Sequence, residues 1–165
     1  MSLTKVKNVL HELVEIHQKL LKLAIKKTDY IKKNEMKSLE QLVREETKWA
    51  QRLKVAEMVR MREVQAFLEG VNKPLLNPTM KDVLGTVGKE EAAELMQLQE
   101  QLLPLIIEMK RVNDHNKELL EESMSYIQLS MDLLSPQLTD MQYQRNQEAI
   151  PTYDNHTRSI FDSKA

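Results

Sequence analysis

The chain has 165 residues, of which 41% are hydrophobic, 30% are charged and 4% are aromatic, and its formal net charge is −1. This length allows one domain with its own core, and the near-zero charge excludes a general attraction to nucleic acid or acidic membranes. The lack of cysteine excludes disulfides and fits a reducing, cytoplasmic location, and no apolar run is long enough for stable membrane insertion.

Good helix formers dominate the composition, with only three glycines and five prolines. No segment shows the alternation typical of a strand. We therefore expect an all-α protein, an antiparallel helical bundle or coiled coil. It should contain three long helices, a short connecting helix and an irregular C-terminal tail.

The first helix is predicted from about Ser2–Thr4, which can cap it, to about Lys33. One side of this helix carries apolar residues and His17 at helical spacing. These positions are Leu3, Val6, Leu10, Leu13, His17, Leu20/Leu21, Ala24 and Thr28/Ile31. Asn34 is the expected position of a tight turn, and a kinked continuation of the helix is the alternative.

The second helix is predicted over roughly residues 35–69, since Gly70 and then Pro74 provide a stop signal. In the connection VNKPLLNPTMKDVLGTVG, Thr79 can cap a short helix from Met80 to Val87.

The longest helix is predicted over residues 90–134, roughly 65 Å at ~1.5 Å per residue. Its apolar positions form one seam, and Pro104 should bend it because proline lacks the backbone donor. Asn113 and Asn116 interrupt the seam. They either fix the register of a buried contact or mark where the helix leaves the bundle.

Periodicity ends at Ser135, so residues 1–134 are predicted as one bundle domain and residues 135–165 as a tail without its own core. Charge is unevenly distributed. Residues 1–33 carry eight basic and three acidic residues, whereas residues 89–134 carry four and ten. These two helices would attract each other if they lay antiparallel. An equally good interpretation is that the charged residues only form the solvent-exposed faces of the helices.

Motifs for catalysis are weak. HELVEIH places His11 and His17 near two glutamates, but the spacing is not HExxH, and no Glu-x-x-His pair suits a di-iron bundle. The alternative is that both histidines are boundary or surface residues. Glycines are too scattered for a phosphate loop, and the lysines of the first helix lack interleaved aromatics for nucleic acid. We expect no enzyme activity, no metal and no cofactor.

Protein binding has more support, because the long helix has more apolar seam than two shorter helices can cover. Five of the ten methionines lie there or just beyond, and flexible thioethers suit adaptable surfaces, although methionine at this spacing is usually core. The five are Met96, Met109, Met124, Met131 and Met141. Tyr143, Tyr153 and Phe161 in the tail are either recognition anchors or packed against the body.

Three stretches, in this order, resemble the FlgN family of flagellar export chaperones in its Gram-positive form. They are LLKLAIKKTDYIKKNEMKSLEQLVREETKWAQRL, AEMVRMREVQAFL and RVNDHNKELLEESMSYIQLSMDLL. The third is similar to the family pattern Asn-x-x-Asn-x-x-Leu-Leu-x-x-Ser followed by a hydrophobic residue.

The resemblance implies a non-catalytic cytoplasmic chaperone of the hook–filament junction proteins FlgK and FlgL, which it delivers to the export gate. It also implies a substrate-binding C-terminal helix. On this chain that region is Asn113, Asn116, Leu119, Leu120, Ser123, Met124, Ile127, Met131 and Leu134. The residues also leave open a self-associating coiled-coil protein, a homo-oligomer in which a second copy covers the seam. A helical enzyme with a metal at His11/His17 is the weakest alternative.

Overall fold

The computed structural model describes residues 2–134. The elements are α1 (Ser2–Lys32), α2 (Met36–Gly70), α3 (Met80–Leu84) and α4 (Lys89–Leu134). This part of the chain contains no strand, so the all-α prediction is confirmed. The predicted tail, residues 135–165 with its three aromatic residues, lies outside the described residues.

A sharp turn follows α1, as the sequence predicts. Asn34 has a φ of 57°, the left-handed conformation that asparagine tolerates better than most residues. The backbone N–H of Glu35 donates to Tyr30 O (3.0 Å), and that of Asn34 donates to Ile31 O (3.2 Å). These two bonds form a Schellman motif, which satisfies carbonyls at the end of α1 and reverses the chain.

The same motif ends α2, but at a residue that the sequence analysis did not identify. The helix ends at Gly70, within one residue of the predicted end, yet Gly70 does not have a positive φ. Asn72 takes the left-handed conformation, and the N–H of Lys73 donates to Leu68 O at 2.9 Å. The glycine was a misleading signal, because asparagine two positions later provides the cap.

Thr79 caps the short helix α3, as predicted, through a reciprocal capping box with Asp82. The Thr79 N–H donates to the Asp82 carboxylate at 2.8 Å, and the Asp82 N–H donates to the Thr79 hydroxyl oxygen at 3.4 Å. The backbone N–H and the hydroxyl of Thr79 both donate to the Asp82 carboxylate, and these two bonds lower the pKa of the Asp82 carboxyl. The helix ends at Leu84, earlier than the predicted Val87.

Residues 1–121 form one compact unit, in which α1 and α2 are antiparallel. Three ion pairs join the two helices, and Glu12 pairs further along α2 than Lys19 and Lys27 do, as in an antiparallel pair. They are Glu12–Arg52 (3.5 Å), Lys19–Glu45 (3.4 Å) and Lys27–Glu46 (3.2 Å). Lys19 and Lys27 of α1 therefore pair with α2, although α2 carries no excess of negative charge.

The α1 and α4 helices run parallel. The charge attraction expected for an antiparallel arrangement of these two helices therefore does not apply. Lys7 near the start of α1 pairs with Glu94 near the start of α4. Further along, Asn116 of α4 reaches the carbonyl of Ala24. The order is up-down-up, because α2 returns the chain to the end of the unit where α1 begins.

The core is centred on α1, which is buried over a much broader face than the single side predicted. Val9, Val14, Ile16 and Leu23 are buried in addition to the predicted positions. A helix with α2 on one side and α4 on the other must be apolar toward both. The core cluster also includes Val64, Phe67 and Leu68 of α2, Val83 of α3 and Leu95 and Leu98 of α4.

Candidate protein-binding surface

His17 is a buried core residue, so the expectation of a boundary or surface position is wrong for it and correct only for His11. The ring Nδ1–H of His17 donates to Leu13 O at 2.8 Å. Burial lowers the pKa of His17, while the bond to Leu13 and the Glu57 carboxylate oppose that shift. The neutral imidazole is therefore the form that the core favours.

His11 and His17, the candidate metal ligands, differ in their burial. His11 is exposed and His17 is buried, so the two rings lie in different environments. Within residues 2–134, no group of three or more His, Cys, Asp or Glu side chains is arranged to hold a metal ion. None of the helices in this range is both long and apolar enough to cross a lipid bilayer.

Asn116 is buried between α4 and α1, with 2% of its surface exposed. Its Nδ2 donates to Ala24 O at 2.9 Å, and its Oδ1 accepts from the Thr28 hydroxyl at 2.5 Å. Both ends of the amide are thus satisfied inside the bundle. Of the two roles that the sequence left open, this geometry matches the residue that fixes register.

The neighbouring predicted residues lie in different surroundings. Asn113 is exposed, and Leu119 and Leu120 are half-buried. Asn116 is the last buried residue of α4 in the described part of the chain. The nine predicted site residues therefore include one that belongs to the core and two that lie at its margin.

The remaining predicted residues belong to the distal segment, which we define as residues 122–134 of α4. Met124, Ile127 and Leu134 are 69%, 57% and 85% exposed, Ser123 is exposed and Met131 is half-buried. The apolar members are spaced by three or four residues and so share one side of the helix. We call Met124, Ile127, Met131 and Leu134 the first stripe.

A second apolar stripe was missed by the sequence analysis. Tyr126, Leu129 and Leu133 are 72%, 58% and 77% exposed. Their spacing of three and then four residues is itself a helical signal, and they lie on a different side from the first stripe. Because a single apolar seam was expected along the whole of α4, the two stripes were not separated.

Exposed apolar stripes on a helix of an all-α bundle are typical of a surface that contacts another protein. Comparison with known proteins gives its family. The family model described as "FlgN protein" matches residues 1–150. The chain belongs to the FlgN family, a family of flagellar export chaperones that bind hook-associated proteins.

The chain is also similar to an uncharacterized protein, YvyG, of Bacillus subtilis (strain 168). The two are 30% identical over 157 residues, which cover 94% of each chain. No solved structure matches significantly.

Proposed function

We propose that this protein is a cytoplasmic chaperone of the hook–filament junction proteins FlgK and FlgL. It holds them unassembled and delivers them to the flagellar export gate. The observation that carries the proposal is the exposed apolar surface of the distal segment. An apolar surface of this kind on a soluble-protein helix is characteristic of an interaction site.

The proposed mode of binding is helix against helix. Terminal segments of filament-type proteins are amphipathic and self-associate, so a chaperone must cover their apolar side. The apolar residues of the first stripe are three or four positions apart, which is the spacing at which two packed helices contact each other. If roughly 1,500 Å² is buried, affinities from micromolar to nanomolar are compatible with that area, and hand-over to a gate favours the weaker half.

Replacing Ile127 by Asp tests the proposal directly. A charge in the middle of the first stripe must be desolvated on binding, so co-purification of FlgK or FlgL should fall by roughly tenfold or more. Because Ile127 is 57% exposed, far-UV circular dichroism should stay unchanged. Ser125→Asp, at an exposed polar position of the same segment, is the matched control and should bind normally.

Two outcomes contradict the proposal. If Ile127→Asp binds both junction proteins as well as the native chain does, the first stripe is not the interface. If it unfolds, Ile127 is a core residue. Leu120→Asp is a less specific test, because Leu120 is half-buried and its substitution perturbs packing as well.

Self-association is a second candidate function, and a separate surface favours it. Met96, Leu103 and Ile107 lie on one side of α4 and are 50%, 59% and 61% exposed. A second copy could cover this side as a coiled-coil partner. Light scattering over a range of concentrations should show a monomer under our proposal. A tight dimer that persists with FlgK bound would favour the self-associating protein.

A further inference from the structure

We propose that the distal segment binds two helices of its partner at once, one on each stripe. This inference rests on the proposed function and specifies what the partner must present. A single helix bound to the first stripe would leave the second stripe, Tyr126, Leu129 and Leu133, exposed to solvent.

The angle between the stripes decides how many helices are needed. At 3.6 residues per turn, the centres of the two stripes lie roughly 150° apart around the helix axis. The apolar face with which a helix packs against a neighbour is typically a little over 100° wide, which is less than this separation. One partner helix therefore covers one stripe, and a second helix is needed for the other.

The residues between the stripes show on which side the two partner helices would meet. On one side lies Ser130, whose hydroxyl donates to Tyr126 O at 2.9 Å and so requires no polar group from a partner. Its small side chain also lets two helices approach closely. On the opposite side, Gln128 Nε2 donates to Asp132 Oδ1 at 3.3 Å, and this polar strip suits contact with water.

The charge of the distal segment indicates which partner helices it can bind. The distal segment carries two acidic residues, Glu122 and Asp132, and no basic residue. Partner helices with lysine or arginine beside their apolar seams are attracted to this segment, whereas acidic ones are repelled. The occupant is thus a pair of amphipathic helices within one junction protein, with neutral or basic flanks.

Site-specific photo-crosslinking tests the inference in the full chain bound to FlgK. A photoreactive amino acid is placed at position 127 in the first stripe, at 129 in the second, or at 128 in the polar strip as the control. We expect positions 127 and 129 to crosslink to two separate helical segments of FlgK, and position 128 to crosslink far less. Crosslinks from 127 and 129 to one and the same segment would overturn the inference.

A binding measurement separates this inference from the proposed function. Leu129→Asp should weaken the complex with FlgK by roughly tenfold or more, as Ile127→Asp does. If Leu129→Asp binds like the native chain while Ile127→Asp does not, the two-helix inference fails and the proposed function stands. If the native chain forms no complex with FlgK or FlgL, both fail.

Discussion

His17 should make the stability of the fold depend on pH, because its imidazole is buried and its pKa is lowered. The ordinary pKa of histidine is 6.5. Below that pH, His17 binds a proton more readily in the unfolded chain than in the folded chain. The contribution of His17 to the free energy of unfolding should therefore be constant above pH 6.5 and decrease below it. One group contributes at most about 1.4 kcal/mol per pH unit.

Urea unfolding on either side of pH 6.5 measures this dependence. Trp49, the one tryptophan, packs against the core and reports unfolding by its fluorescence. His17→Leu should remove this part of the pH dependence, whereas His11→Leu, at an exposed position, should retain it. Equal slopes for the two variants would show that other groups cause the effect.

Asn116 and Asn113 form a matched pair, since both interrupt the seam and only Asn116 is buried. Asn116→Ala leaves the buried Thr28–Ala24 site without its partner, which should destabilise the fold by about 1–3 kcal/mol. Asn113→Ala should change stability by no more than about 0.5 kcal/mol. Thermal unfolding of the two variants measures the difference, and equal losses would place Asn116 outside the core.

At the scale of the elements, α1 and α2 both end without a glycine in the left-handed position, because an asparagine takes that conformation in each case. Asn34 and Asn72 both take a φ of 57°. Replacing either with valine should lower the unfolding temperature, because the left-handed conformation costs most residues about 1–2 kcal/mol, whereas the short polar side chain of asparagine makes it tolerable. Glycine at the same positions should be tolerated, since it lacks that penalty. A valine variant as stable as the native chain would contradict the observed caps.

Gly70 gives the opposite prediction. It is helical, and an added Cβ there would meet nothing within 4 Å. Gly70→Ala should therefore stabilise the fold by about 0.5–1 kcal/mol, since alanine restricts the unfolded chain and favours the helix. Chemical unfolding measures the gain. A loss of stability would mean that Gly70, rather than Asn72, makes the turn.

The existence and extent of the helices could be predicted from sequence because each follows from local periodicity and capping. Thr79 and Asn34 are examples, since the cap and the turn depend on neighbouring residues. The burial of Asn116 and the parallel course of α4 could not be predicted. Both depend on which helix lies opposite, and a seam read from one helix does not identify its partner.

The candidate site was predicted only in part, for the same reason. Periodicity located the apolar residues of the distal segment, but it could not distinguish exposed Ile127 from buried Val112, which continue the same pattern. Leu129 and Leu133 were not assigned to any surface, because one continuous seam was assumed along α4. The distinction between scaffold and interface requires the solvent exposure of each side chain.

At the scale of the whole molecule, residues 1–121 should fold without the rest of the chain. All of the buried hydrophobic residues of the described part lie at or before Val112. A chain ending at Glu121 should unfold cooperatively with nearly the native midpoint, and it should no longer retain FlgK or FlgL. Loss of cooperative unfolding in the shortened chain would show that the core requires residues beyond Glu121.

The parallel pairing of α1 with α4 also bears on the order in which the chain acquires its structure. The α1–α2 hairpin closes through neighbouring segments, whereas the contacts of α4 with α1 join residues 87 to 92 positions apart. Short-range contacts form faster than distant ones, and synthesis runs from the N-terminus. The hairpin should therefore be assembled while α4 is still inside the ribosome. Of the helices in residues 2–134, the one proposed to bind a client is then made after the other three, so α1 and α2 are already paired when the proposed binding surface is made.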